Sequence, residues 1–160
     1  MNPEAEPVVV RRIRPDDAAT FRDVRLLALQ TDPTAFGSSY EREVDRPFES
    51  WQTWAATTSA GNDQVMLVAD AGDRLVGLAG AFRIEQKPRS LHLIAMWVEP
   101  EMRGKGLGRQ LTAGVIEWAR NADADELGLW VVDGNDVARR LYENHGFVAT
   151  GRVQPLPSHP

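Results

Sequence analysis

The sequence predicts a single-domain α/β protein whose elements run in the order βααβββαβαβ, and three observations lead to that reading. An apolar, β-prone run, Leu91 to Val98, is followed by the string Arg103-Gly104-Lys105-Gly106-Leu107-Gly108 and then by an apolar stripe with helical spacing. Two further apolar runs flank the turn-forming Asp70-Ala71-Gly72-Asp73, as a hairpin requires. The 160 residues suffice for one well-buried core and are too few for two ordinary domains, so residues 1–160 are read as one unit.

Each element has its own signal. Val8 to Ile13 is a short β-prone run, and Arg14-Pro15-Asp16 turns the chain and offers a helix start. Phe21, Val24 and Ala28 then fall on one helical face, with Leu27 beside it, and Thr31 to Ser39, which holds Pro33 and Gly37, reads as a loop. A second short helix is expected from near Pro47, carrying Trp51 and Trp54 three apart. Gln64 to Ala69 and Leu75 to Phe82 form the hairpin, and Leu91 to Val98 is the next strand. Leu107, Leu111, Val115 and Trp118 define the apolar face of the main helix, Leu107 to Arg120. A strand at Glu126 to Val132, a helix at Val137 to Asn144 and a strand at Phe147 to Val153 complete the order. Pro155, Pro157 and Pro160 in the tail suit neither a helix nor a central strand.

Composition narrows the chemistry. Charged residues at 26% and hydrophobic ones at 42% describe a soluble globular chain, and no apolar stretch approaches the roughly 20 residues that span a bilayer. Met1 to Pro7 is acidic and contains proline, unlike a signal peptide, so the expected compartment is the cytoplasm and no membrane partner is expected. A net charge of -5 argues against a broad nucleic-acid footprint. The absence of cysteine excludes disulfides and thiolate nucleophiles, and His92, His145 and His159 lack metal-ligand spacing, so no metal is expected.

The glycine string has a physical meaning of its own. The first N–H groups of a helix lack intrahelical partners and lie at the positive end of the macrodipole, so phosphate is favoured there. Glycine permits positive φ and close approach of a ligand, and Arg103, Lys105 and Arg109 add full charges. Two familiar phosphate motifs do not fit. There is no Gly-x-x-x-x-Gly-Lys-Ser/Thr string, and neither register of Gly-x-Gly-x-x-Gly holds, because its sixth position is Arg109 or Leu111.

Arg-x-x-Gly-x-Gly does fit, and with it the chain resembles the GNAT superfamily of acyl-CoA-dependent N-acetyltransferases. A second string, Asn135-Asp136-Val137-Ala138-Arg139-Arg140-Leu141-Tyr142-Glu143-Asn144-His145-Gly146-Phe147, is similar to that family's later motif, Asn-x-x-Ala-x-x-x-Tyr-x-x-x-Gly-Phe. The resemblance covers about residues 8 to 153. It implies a mixed, mostly antiparallel sheet flanked by helices. The family usually adds one more strand, which the proline-containing tail does not supply; that strand is expected to be missing or to come from a partner, and the resemblance allows a homodimer.

The resemblance also implies roles. Acetyl-CoA is the implied cosubstrate, its pyrophosphate held by the backbone of Arg103 to Arg109, including Gly104, Lys105, Gly106, Leu107 and Gly108. A backbone N–H around Trp97 or Val98 would meet the thioester carbonyl, Tyr142 would protonate the leaving thiolate, and Asn135 would bond the pantetheine arm or cap its helix. Arg139 and Arg140 either reach the coenzyme phosphates or are solvated. An alkylammonium is almost wholly charged at pH 7, so a base is needed. Glu41, Glu43, Glu85, His92, Glu99 and Glu101 are chemically able, His92 lying on the strand that feeds the loop, and a water relay is the alternative. Tyr40 and Glu41 fall where relatives line the acceptor pocket, and acidic residues there suit a cationic amine. The function implied is acetyl transfer to a primary amine of a small molecule by direct attack. Acetylation of a protein N-terminus or lysine, or a non-catalytic acyl-CoA-binding module, are the alternatives.

Overall fold

The computed structural model describes residues 7–154; the amino-terminal segment read as unlike a signal peptide and the proline-containing tail fall outside them, apart from their innermost residues. Five strands, β1 (Val9–Arg12), β2 (Gln64–Asp70), β3 (Leu75–Ile84), β4 (Lys87–Val98) and β5 (Glu126–Gly128), form one sheet in the order β1-β2-β3-β4-β5. The first four pair antiparallel, and β5 joins β4 in parallel. The expected mixed, mostly antiparallel sheet is therefore what the chain forms.

Alternation along the central strands sorts side chains to two faces. Met66, Val68, Leu78 and Trp97 face α1 (Ala18–Thr31) and α3 (Phe48–Thr58), where Phe21, Val24, Ala28 and Trp51 are buried. Leu67, Ala79 and Leu93 face α4 (Leu107–Arg120) and α5 (Asp136–Asn144), meeting Leu111, Val115 and Tyr142. The expected stripe on α4 is the buried one, and Gly114 lets that helix lie close on the sheet: a Cβ there would stand 2.6 Å from Leu67 Cδ1. A short helix, α2 (Tyr40–Glu43), follows the loop expected at Thr31 to Ser39 and is one the sequence does not announce.

Two expected strands differ. The strand at Glu126 to Val132 pairs only as far as Gly128, and Phe147 to Val153 joins no ladder. A strand is stabilised by a partner edge. The three paired residues of β5 offer little edge, and glycines at positive φ, Gly146 and Gly151, bend the backbone at and within the last run. The consequence for the site is that β4, twelve residues long, has a neighbour on its outer edge only at Ser90, Leu91 and His92.

Candidate active site

The glycine string forms the entry to α4. Gly104 and Gly106 have φ of 80° and 85°, Gly106 is the N-cap, and no side chain caps the helix. Gln110 N–H is the first to bond within the helix, to Gly106 C=O, leaving the N–H groups of Leu107, Gly108 and Arg109 without intrahelical acceptors. Nothing lies within 4 Å of where a Cβ would stand at Gly104 or Gly106, so this backbone is open to a ligand. Leu107 is buried against the sheet and contributes backbone only, whereas Lys105 and Arg109 are exposed. At Gly108 a Cβ would stand 3.5 Å from Leu141 of α5, an ordinary contact distance, so helix packing does not by itself require that glycine. Arg103 points elsewhere: its Nε donates to Val98 C=O at 2.8 Å and its Nη2 to Asp32 at 2.9 Å.

Just before this loop β4 carries a bulge. Leu78 pairs with Trp97 and Gly80 with Ile94, so Ala95 and Met96 together oppose Ala79, and Ala95 takes φ of 61°. One residue thus lies outside the ladder, in a conformation that costs a non-glycine about 1–3 kcal/mol. Below the bulge, Glu99 N–H donates to Val76 C=O, so Glu99 and, by alternation, Trp97 direct their backbone toward β3. Val98 directs its own to the open edge. Of the two positions expected to supply a donor to the thioester, Trp97 is thus turned into the sheet. Its buried indole, 3% exposed, donates Nε1–H to Asp32 at 2.7 Å.

A cavity of about 820 Å³ opens between the start of β4, β5 and α5, and it brings Tyr142, His92, Asn135 and Arg139 to one space. The glycine loop is not part of its lining. Tyr142 is 7% exposed and packs edge-on against Phe147 with ring centroids 5.7 Å apart. Burial pushes its phenol up to about 12, so it keeps its proton at neutral pH. Asn135 caps α5, its Oδ1 accepting from Ala138 N–H at 3.1 Å. Arg139 is paired with Glu143 one turn on, at 2.9 Å. His92 leans against the Phe82 ring at 5.6 Å, and burial holds its imidazole below the ordinary value, neutral at pH 7.

The acceptor-side residues separate. Tyr40 packs half-buried against the α1–α3 core, and Glu41 is exposed. Glu43, weighed as a base, is buried and receives two hydrogen bonds from Arg25, at 3.0 and 2.9 Å. Desolvation pushes its carboxyl up, but the Arg25 hydrogen bonds and charge outweigh it and hold the group low, so it is a poor proton acceptor. Glu99 pairs with Arg74 at 2.8 Å. The sequence reading did not single out Asp32 or the bulge at Ala95, since neither carries a local signal. Among the described residues no group of three or more His, Asp or Glu is placed to hold a metal, and no helix is long and apolar enough to cross a membrane.

Residues 25–147 match the model of the acetyltransferase (GNAT) family. The N-alpha-acetyltransferase RimI of Mycobacterium tuberculosis is 26% identical over 154 residues, covering 94% of this chain and 85% of the relative. The L-methionine sulfoximine/L-methionine sulfone acetyltransferase of Pseudomonas aeruginosa is 25% identical over 130 residues, covering 80% and 76%. The chain spans only 17% of the mycothiol acetyltransferase of Thermobispora bispora, with which it shares 46% identity over 50 residues. Among solved structures, the GNAT-family acetyltransferase of Streptococcus pneumoniae superposes with a TM-score of 0.76 at 25% identity, covering 91% of this chain and 86% of that one.

Proposed function

The chain belongs to the GNAT acetyltransferase family, and from that premise we propose that it transfers an acetyl group from acetyl-CoA to a primary amine of a small molecule. The observation that carries this reading is the pairing of an open anion-binding helix start, Gly104 to Arg109, with a bulged strand whose outer edge is free beyond His92. The residues present fit the coenzyme. The unpaired N–H groups of Leu107, Gly108 and Arg109, with the charges of Lys105 and Arg109, suit its pyrophosphate. The Val98 N–H, facing the open edge while its carbonyl accepts from Arg103, suits its extended arm, and the bulge at Ala95 and Met96 supplies backbone outside the ladder where a carbonyl oxygen gains charge.

Bound there, the coenzyme supplies an activated acetyl group: the amine nitrogen bonds the carbonyl carbon, the carbon–sulfur bond breaks, and sulfur leaves as thiolate. Tyr142 donates a hydrogen bond to that sulfur. A phenol at about 12 gives up its proton reluctantly, so its contribution lies in stabilising charge as the bond breaks. Neutral His92 takes the proton the amine loses. Asn135, committed to capping α5, fixes the helix that carries Tyr142 and reaches the ligand only while capping. Arg139, committed to Glu143, reaches phosphate only by exchanging partners.

A small acceptor is favoured by the second cavity described below. A protein N-terminus is the second reading, favoured by the similarity to RimI across 94% of the chain. A cytoplasmic site of action belongs to the same proposal, as does a homodimer, which sedimentation tests. Transfer of label from acetyl-CoA into a cell extract, separated into small molecules and macromolecules and run beside Tyr142→Phe, tests the whole. Label in the small fraction that the variant fails to deliver supports this reading. Label in protein favours the second, and coenzyme binding without transfer reduces the chain to a binding module.

A further inference from the structure

A second cavity, of about 400 Å³, lies on the face of the sheet that carries α3, between that helix and the ends of β2, β3 and β4. Its apolar lining includes Trp54, Phe82, Ile84 and Ile94. Ile94 is 38% exposed although it sits in the middle of β4, and it immediately precedes the bulge. Phe82 stands between this cavity and His92, whose ring it contacts. The cavity therefore ends where the proposed chemistry begins.

Its charge is equally defined. Arg83 borders the cavity, but its guanidinium is engaged by the Asp63 carboxylate and by the carbonyls of Asn62, Pro88 and Ala122. Asp63 and Arg83 offset each other, leaving Glu85 at the rim as a carboxylate with no ion pair among the described residues. An apolar chamber with an anionic mouth selects for a cation with an apolar body. The coenzyme loop lies at the start of α4, on the opposite face of the sheet, and beyond His92 no strand covers the outer edge of β4. Two ligands can thus meet at the bulge from opposite sides.

Resting on the reading above, we propose that this cavity seats the acceptor, and that the acceptor is a small primary amine bearing an aromatic or branched aliphatic group, with its nitrogen toward Ala95 and its body against Trp54, Phe82 and Ile94. This places the acceptor's body away from Tyr40 and Glu41. About 400 Å³ is at the lower end of the range for small-ligand sites and too small for several residues of a polypeptide.

The test compares 2-phenylethylamine and isoamylamine with putrescine and with a peptide carrying a free N-terminus, in the wild type and in Ile94→Trp, a change at a half-exposed position that fills the chamber. The apolar amines are expected to be better acceptors, and Ile94→Trp to raise their KM about tenfold or more while coenzyme Kd, measured by calorimetry, is retained. Preference for putrescine or the peptide, or an unchanged KM in the variant, overturns the proposal. Direct binding of 2-phenylethylamine, followed by ligand-observed NMR, separates this inference from the function it rests on. Binding that Ile94→Trp abolishes supports the seat even without acetyl transfer, a result that would instead sink the enzymatic reading. Absence of both binding and transfer overturns the seat.

Discussion

The Asp32 carboxylate, just beyond the C-terminus of α1, accepts from the Arg103 guanidinium at 2.9 Å while the same oxygen accepts from Trp97 Nε1 at 2.7 Å. One side chain thereby ties the end of α1, the stretch of β4 between the bulge and the loop, and the first residue of the proposed coenzyme loop. An acid at a helix C-terminus opposes the macrodipole, so a local helix preference does not explain it. Its partners do.

Asp32→Asn keeps an acceptor for Trp97 and removes the charge that holds Arg103. The pair is partly exposed, so thermal stability should fall by less than about 1 kcal/mol. Coenzyme affinity should weaken about three- to tenfold as the loop loses its anchor, read by calorimetry. Tighter binding would show the opposite role, in which Asp32 restrains Arg103 from reaching phosphate.

Tyr142→Phe removes the hydroxyl and keeps the ring packed on Phe147. Turnover should fall about a hundredfold with coenzyme Kd unchanged, the size expected when a hydrogen-bond donor to developing charge is lost. Because burial raises the phenol to about 12, kcat of the wild type should show no alkaline loss from this group up to pH 10. A steady-state pH series on both proteins checks the two statements together, and equal turnover would remove Tyr142 from the mechanism.

How far the sequence discloses this site depends on the range of each interaction. The glycine loop, the β2–β3 hairpin and the α4 stripe are local patterns, and the structure has all three where the residues predict them. Asp32 meets Trp97 across 65 residues and Arg103 across 71, a separation no window of spacing spans. The bulge at Ala95 sits in an apolar run whose letters are those of an ordinary strand. Glu41 and Glu43 lie two apart on one turn, yet only Glu43 faces inward, because Arg25 of α1 meets it there. The strand expected at Phe147 to Val153 has the right composition and lacks an edge to pair with.

The Arg25–Glu43 pair fixes α2 against α1, and it is buried on both sides, with Arg25 also lying over the rings of Phe36 and Trp54. Glu43→Gln leaves an uncompensated buried guanidinium and should cost about 3–5 kcal/mol, whereas Arg25→Met with Glu43→Leu should recover most of the loss. The pH dependence follows from the sign of the shift. Glu43 is held below its ordinary value in the folded state, so its stabilisation is complete above about pH 4.5 and is lost as pH falls through the lowered folded value. Thermal melts of wild type and Glu43→Gln should converge at acid pH; parallel curves would contradict the assignment.

His92 brings the proton question to one measurement. Burial lowers its imidazole from the ordinary 6.5, so it is unprotonated at pH 7 and stays able to accept a proton somewhat below pH 6.5. If it takes the proton from the attacking amine, kcat/KM should carry an acid limb whose midpoint lies below 6.5, superimposed on the rise with pH that the amine's own ionisation imposes. His92→Gln should erase that limb and lower kcat/KM about a hundredfold at pH 7. Using an acceptor of low amine pKa separates the two ionisations, since the substrate is then neutral throughout the range. A variant that keeps the limb intact would move the base to water or to Glu85, the carboxylate at the rim of the second cavity.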